Sequence, residues 1–290
     1  MSAEDFPLID KRQARAAFSR AAARYDEVAE LQREIAQRMI ERLSYIRHQP
    51  ERLLDVGAGT GEATRMLANH YKKARVIALD FALPMLQQAR KRGSWLRPLR
   101  CVCGDAERLP LADQSLDMIF SNAALQWCND LQGTLREFLR VLRPNGMLLF
   151  STFGPDTLKE LRASWSAVDG NTHVSPFADM HDVGDALVHA GWAEPVVDVD
   201  RITLSYDDVP SLMRDLKTLG AHNVTSQRHK GLTGKRQMKA MIDAYEALRI
   251  ENKLPASYEV VYGHAWAPAQ IKSGSVTTIS IDQLRFNTPH

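Results

Sequence analysis

Leu53-Leu54-Asp55-Val56-Gly57-Ala58-Gly59-Thr60-Gly61 is an apolar run that breaks into alternating glycines, and a second short apolar run follows it and ends in Asp80. The two read as strand, glycine turn, helix, strand and acidic end. Glycines at 57, 59 and 61 let the backbone turn sharply and approach a ligand where a Cβ would collide. An acid closing the next strand can accept two ribose hydroxyl protons. The pattern predicts a crevice for a nucleoside cofactor.

Spacing narrows the choice of nucleoside. A dinucleotide fingerprint places glycine at its first, third and sixth positions so that a pyrophosphate sits on the amides of the following helix. Here the sixth position is Glu62, whose carboxylate would repel a pyrophosphate, and no lysine follows as a P-loop requires. The run from Asp55 to Gly61 instead resembles the signature of class I S-adenosylmethionine-dependent methyltransferases. Their cofactor carries no phosphate and bears a cationic sulfonium, beside which acids are favourable. The resemblance makes Asp55, Gly57, Gly59 and Gly61 candidate cofactor-binding residues.

Composition sets wider bounds. With 290 residues, 44% hydrophobic and 25% charged, the chain can bury one large core or a core with an insertion. Its 37 basic and 35 acidic residues leave a net charge of +2, so no global field favours nucleic acid. The first residues lack the cationic and then apolar order of a signal peptide, and no run approaches the roughly 18 apolar residues of a membrane span. A cytoplasmic protein with no membrane partner is the expectation. Cys101, Cys103 and Cys128 cannot pair evenly and have poor zinc spacing, which points to buried thiols and no metal.

Along the chain, residues 10–48 read as helical, from the spacing of Phe18, Tyr25, Leu31, Ile35, Met39 and Leu43. Strand patterns then alternate with helical ones at 52–56, 75–79, 99–103, 116–121 and 146–152. This order predicts an α/β fold, a Rossmann-like seven-stranded mostly parallel sheet with helices on both faces. Helices near 156–166 and 180–190 follow, the second stopping at Gly191, and strands Val196 to Tyr206 and Tyr258 to Ala267 finish the sheet. Some 50 residues of helical pattern separate those strands, too many for a simple link. The division is therefore an N-terminal helical cap over 1–48, a core over 49–206 and 256–268, a lid insertion over 207–255 and a tail over 269–290.

Further candidates cluster at strand ends. Phe81 and Met85 follow Asp80 and are placed to flank an adenine ring. In Gly104-Asp105-Ala106-Glu107-Arg108-Leu109-Pro110, Asp105 suits the exocyclic amine and the Ala106 amide a ring nitrogen. Ser121-Asn122-Ala123-Ala124-Leu125-Gln126-Trp127 closes the fourth strand, where open α/β sheets gather ligands. Asn122 is read as facing the methionine part through its backbone, with Gln126 and Trp127 lining the methyl-acceptor pocket. Neither a Gly-x-Ser-x-Gly elbow nor a His-Glu-x-x-His motif occurs, and the nine histidines are scattered. His181-Asp182 reads as a helix cap, and His222, His229 and His264 as surface or lid residues.

Over most of residues 10 to 267 the chain resembles the malonyl-acyl carrier protein O-methyltransferases of biotin synthesis. The resemblance rests on Phe18-Ser19-Arg20-Ala21-Ala22-Ala23-Arg24-Tyr25-Asp26 with Leu31-Gln32, the glycine loop, Asn122 to Trp127, Phe150 to Leu161, and Gly231-Leu232-Thr233-Gly234-Lys235. It implies methyl transfer to the free carboxylate of a malonyl thioester, with acyl carrier protein as partner. A carboxylate of ordinary pKa is already ionised at neutral pH, so no catalytic acid or base is expected. Tyr25 is a candidate to close over the cofactor or to bond the substrate carboxylate. Arg228, Lys235 and Arg236, with Lys230, form a basic lid cluster suited to that carboxylate, or to the acidic surface or phosphopantetheine phosphate of a carrier. Two rivals stay open: a methyltransferase for a small free acid such as aconitate, and an S-adenosylmethionine-binding assembly factor.

Overall fold

Leu53 and Leu54 are both fully buried, yet they face opposite sides of the same strand. That strand, β1 (Arg52–Val56), pairs in parallel with β2 (Arg75–Asp80) on one side and β4 (Leu116–Ser121) on the other. The computed structural model describes residues 8–95, 97–221, 223–225 and 234–269. Its sheet has seven strands in the order β3-β2-β1-β4-β5-β7-β6, with β3 at Arg100–Cys103, β5 at Leu142–Phe153, β6 at Ala193–Tyr206 and β7 at Leu254–Trp266. Only β7 runs antiparallel to its neighbours. The expected Rossmann-like architecture is present.

Helices cover both faces. On one, α2 (Glu30–Leu43), α3 (Glu62–His70), α6 (Lys159–Ser166), α8 (Val209–Thr218) and α9 (Lys235–Glu246) pack Ile35, Met39, Leu67, Trp165, Leu212, Met241 and Tyr245 against Leu53, Phe120 and Tyr262. On the other, α5 (Leu131–Val141) and α7 (Met180–Ala190) set Leu135, Phe138 and Leu187 against Leu54, Ile119, Leu148 and Phe150. Each such fully buried large side chain contributes about 1.5–3 kcal/mol of transfer free energy. Burial on both faces explains why the central strands read as continuous apolar runs.

The N-terminal reading needs refinement. Residues 10–48 form two helices, α1 (Lys11–Ala21) and α2, separated by a single 3-10 turn at Tyr25–Glu27. Asp10 caps α1 by accepting from the backbone of Arg12 and Gln13, and Ala14, Ala17 and Ala21 make its buried face. The break places Tyr25 under the cap rather than along it.

Four other expectations shift for identifiable reasons. β5 begins at Leu142 and not at residue 146, because Leu142 pairs with Leu116 and the Asn145 N–H donates to Ala267 O, drawing residues 142–145 into the sheet. His264 sits half-buried in β7 between Leu149 and Val196, where burial lowers its pKa; it belongs to neither surface nor lid. Cys103 is exposed because β3 is an edge strand. At α7 the cap is Asp179, which accepts from Asp182 N–H, so His181 and Asp182 lie inside the first turn.

The insertion leaves and rejoins the sheet at one place. Tyr206 is the register partner of Leu254, so α8 departs where α9 returns. His222, Arg228, His229, Lys230, Gly231, Leu232, Thr233 and the tail beyond residue 269 lie outside the described residues.

Candidate active site

The chain reverses its direction of sheet growth between β1 and β4, and the carboxyl ends of those strands open a crevice. Gly57 and Ala58 both donate their N–H to Leu79 O, at 2.8 and 2.9 Å, which folds the glycine loop back over β2. Gly57 has φ +73°, and a Cβ there would lie 2.3 Å from the Ala124 Cβ. Gly59 has φ +55°, and a Cβ there would meet nothing within 4 Å. The first glycine serves packing; the second faces empty space.

Asp80 ends β2 with one carboxylate oxygen accepting from Gly59 N–H at 2.9 Å and the other from Ala82 N–H at 2.8 Å. Burial pushes its pKa up to about 6 against the pull of those bonds. Phe81 and Met85 line the same cavity, as do Gly57, Gly59, Asp105, Ala106 and Asn122. Gly61, with φ +82°, lies behind it as the N-cap of α3. Phe18 from α1 roofs the cavity, lying 5.9 Å from Phe81 and edge-on to Trp127 at 5.0 Å between ring centres. Lys11 closes the far end, 2.8 Å from Asp105 and 2.6 Å from Glu107. Burial opposes the Lys11 charge, but the two carboxylates outweigh it and raise the pKa.

Asp55 lies under the loop, where its carboxylate accepts from Thr64 Oγ1 at 2.5 Å. Burial raises its pKa to about 7, with Asp80 adding repulsion. A small adjoining cavity is walled by Tyr25, Gln32, Arg33, Asp55, Gly57 and Asn122. Gln32 Oε1 is buried there with no hydrogen-bond partner, an acceptor shaped for a donor that the protein does not supply. Gln32 enters the sequence motifs without a site role and Arg33 not at all; the available signal is a polar pair beside the buried Leu31 and Ile35 of α2. The Asn122 side chain serves the fold, donating to Gln32 O at 2.8 Å and accepting from Ser151 Oγ at 2.9 Å. Next to it Ala123 has φ +49°, a left-handed residue held by Ser151 O and Oγ at 3.1 and 2.9 Å.

A second, larger cavity shares Phe18, Tyr25, Ala123 and Trp127 with the first. Gln126, Phe153, Leu158, Trp165, Tyr206, Met213, Met238 and Tyr258 make it mainly apolar. Gln126 donates to Ala123 O at 2.7 Å and accepts from Thr152 Oγ1 at 3.3 Å, fixing the amide in the wall. His173 also lines it, stacked on Trp165 with ring centres 3.7 Å apart and bonded to Asp169 at 2.9 Å. Burial, with Asp80 and Asp26 adding to it, raises the Tyr25 phenol far above its ordinary range, so it is a neutral donor where the cavities meet. Lys235 and Arg236 are exposed on the first turn of α9, and that helix meets this cavity through Met238 instead. Among the described residues no group of His, Cys, Asp and Glu could hold a metal ion, and no helix is long and apolar enough to cross a membrane.

Residues 54–150, from β1 to β5, match the family model described as a methyltransferase domain. A malonyl-acyl carrier protein O-methyltransferase of Gallionella capsiferriformans is 56% identical over 268 residues, covering 90% of this chain and 92% of that protein. The chain belongs to the malonyl-acyl carrier protein O-methyltransferase family. A relative of the same name from Nitrosospira multiformis is 51% identical, over 90% of this chain and 91% of its own length. Among solved structures, the YcgJ protein of Bacillus subtilis matches with a TM-score of 0.58 at 18% identity, over 81% of this chain and 98% of its own, which bears on the fold alone.

The cofactor of this methyltransferase class is S-adenosylmethionine, and the crevice fits it on its own chemistry. The void above Gly59, the buried Asp80 carboxylate and the unpartnered Gln32 Oε1 suit a ribose and an amino-acid ammonium. Glu62, paired with Arg92 and Arg65 at the start of α3, leaves no place there for a pyrophosphate.

Proposed function

We propose that the chain transfers a methyl group from S-adenosylmethionine to the free carboxylate of a malonyl thioester borne on acyl carrier protein, a step of biotin synthesis. The observation that carries this reading is the wall of Phe18, Tyr25, Ala123 and Trp127 common to a nucleoside-sized crevice and a large apolar cavity. A malonyl thioester with its pantetheine arm is long enough to use such a cavity. A small free acid would leave most of it unfilled.

The residues take these roles in the proposal. Asp80 accepts the ribose hydroxyls, Phe81 and Met85 flank the adenine, and Asp105 and Ala106 meet its polar edge. Asp55 and Gln32 accept from the amino-acid ammonium, and Arg33 faces its carboxylate. Bound there, S-adenosylmethionine supplies a methyl group on positively charged sulfur. Tyr25 donates to one oxygen of the acceptor carboxylate and so aims the other. Gln126 and Trp127 keep the acceptor in line and exclude water.

No base is needed, because the acceptor arrives ionised. An anion and a cation become a neutral ester and a neutral thioether, so charge disappears along the reaction. A dry, apolar wall therefore favours the transition state over the separated ions, and alignment does the rest.

Mass spectrometry of malonyl-acyl carrier protein incubated with the protein and S-adenosylmethionine tests this, with malonic and aconitic acids as parallel acceptors. The expected result is one added methyl on the malonyl chain alone, removable by an esterase. Methylation of a free acid but not of the carrier would replace the substrate assignment. Cofactor binding without any turnover would favour an assembly role.

A further inference from the structure

The mouth of the large cavity carries cations that the methyl transfer does not use. Arg20 and Arg24, at the end of α1 and just after it, and Arg214 and Lys217, on α8, all line it. All four are exposed. Arg24 is paired with Glu27 at 2.9 Å, and Arg214 reaches Ser211 Oγ at 3.4 Å. Among the described residues Arg20 and Lys217 have no ion-pair partner, and Asp215, bonded to Tyr206, is the one acid lining that cavity.

A net charge of +2 over 290 residues does not by itself produce four cations around one opening. Exposed rim charges are too well solvated to grip a small carboxylate tightly; they set encounter rate and partner choice. A single phosphodiester would be met by one or two of them. Four, spread over the end of α1, the turn after it and α8, match a broad acidic surface.

We propose that Arg20, Arg24, Arg214 and Lys217 form the docking collar for an acyl carrier protein, a small acidic protein, with its acidic face spanning α1 and α8 and its pantetheine arm passing between them toward Tyr25. This rests on the function proposed above. It puts one half of the docking surface on the N-terminal cap and the other on the insertion, the two parts of the chain that lie outside the sheet.

The test uses the full chain with a double variant, Arg214→Glu with Lys217→Glu, and a separate Arg20→Glu on α1. Acceptors are malonyl-acyl carrier protein, malonyl-phosphopantetheine and malonyl-N-acetylcysteamine. The double variant is expected to raise KM for the carrier-borne substrate about tenfold or more, with kcat within about twofold and a flatter salt dependence. KM for the two small thioesters stays unchanged. An unchanged KM for the carrier, or an equal rise for malonyl-phosphopantetheine, overturns the collar as a protein-docking surface.

Binding of labelled malonyl-carrier by fluorescence anisotropy, with S-adenosylhomocysteine present, reads the collar without turnover. A wild-type chain that binds the carrier but methylates nothing sinks the proposed function and leaves the collar. One that binds no carrier sinks the collar. Should the double variant fail to fold, Arg20→Glu alone, and Lys217→Glu rescued by a carrier whose acids are changed to lysine, decide the matter.

Discussion

Arg92, the residue that ends α4 (Leu83–Lys91), donates to an Asp26 carboxylate oxygen at 2.6 Å and so fastens the N-terminal cap to the glycine loop. Its Nε donates to Thr60 O at 2.7 Å and another nitrogen pairs with Glu62, while Thr60 Oγ1 donates to the second Asp26 oxygen at 2.5 Å. With Lys11 clasping Asp105 and Glu107, the cap is held down at both ends of the cofactor crevice. Arg92→Ala is expected to raise the Kd for S-adenosylhomocysteine about fivefold, about 1 kcal/mol after discounting for a half-exposed Asp26. Calorimetric titration reads this directly, and an unchanged Kd would show the clasp to be idle.

The glycine loop offers a paired test, since two glycines differ in what they protect. Gly57→Ala meets Ala124 and a positive φ, and is expected to destabilise the fold by about 2–4 kcal/mol in urea unfolding. Gly59→Ala has room within the protein and should cost only about 1 kcal/mol of stability. Its methyl group enters the crevice, so cofactor Kd should rise about tenfold or more. Equal stability losses with equal affinities would contradict the division.

Protonation of the buried acids sets the pH behaviour. Asp55 and Asp80 have pKa values raised by burial to about 7 and about 6, above their ordinary 3.8. Between pH 4 and 7 the native chain therefore holds more protons than the unfolded one, so this contribution to stability is full below about pH 4 and lost as pH rises to about 7. A bound cation prefers ionised Asp55, so cofactor binding releases protons and tightens from pH 5.5 to 7.5. Calorimetry in buffers of different ionisation heat counts the protons released, with Asp55→Asn expected to weaken the dependence, and urea unfolding from pH 4 to 7 checks the sign of the stability change.

Tyr25→Phe keeps the ring that walls both cavities and removes the donor. The expected result is a fall of about 10- to 100-fold in kcat/KM, the worth of one hydrogen bond to a charged group, with cofactor Kd within about threefold. A loss of cofactor affinity as large as the loss of rate would make Tyr25 a residue of the roof alone.

Charge reversal at Lys235 or Arg236 tests the assignment of the α9 cations to the substrate. It should raise KM for the carrier-borne acceptor and leave cofactor Kd alone. Unchanged kinetics would remove both residues from recognition.

The cofactor end was legible because its chemistry is backbone chemistry. Glycines at 57 and 59 and an acid ending β2 are types that few other residues can replace, and each is local in sequence. The mostly parallel sheet followed from alternating periods, and the presence of an insertion from the length between two strands that pair residue for residue from Val196 with His264 to Tyr206 with Leu254. The acceptor end was not legible in the same way. Met213, Lys217 and Met238 come to the large cavity from helices far from Tyr25 in the chain, and nothing in their spacing reports which way a helix is turned. Arg92 was hidden for the same reason, because its partners Asp26 and Glu62 are 66 and 30 residues away.

The pairing of Tyr206 with Leu254 bears on how such a chain can diversify. Because the ladder already holds the two ends side by side, the segment between them adds little closure entropy, which grows only slowly with length. Its helices can be lengthened, shortened or exchanged while the sheet and the glycine loop stay as they are. The insertion's share of the acceptor cavity is then a replaceable part mounted on a fixed engine, and grafting the 207–253 segment between relatives measures how far substrate preference moves with it while Tyr25, Gln126 and Trp127 stay behind.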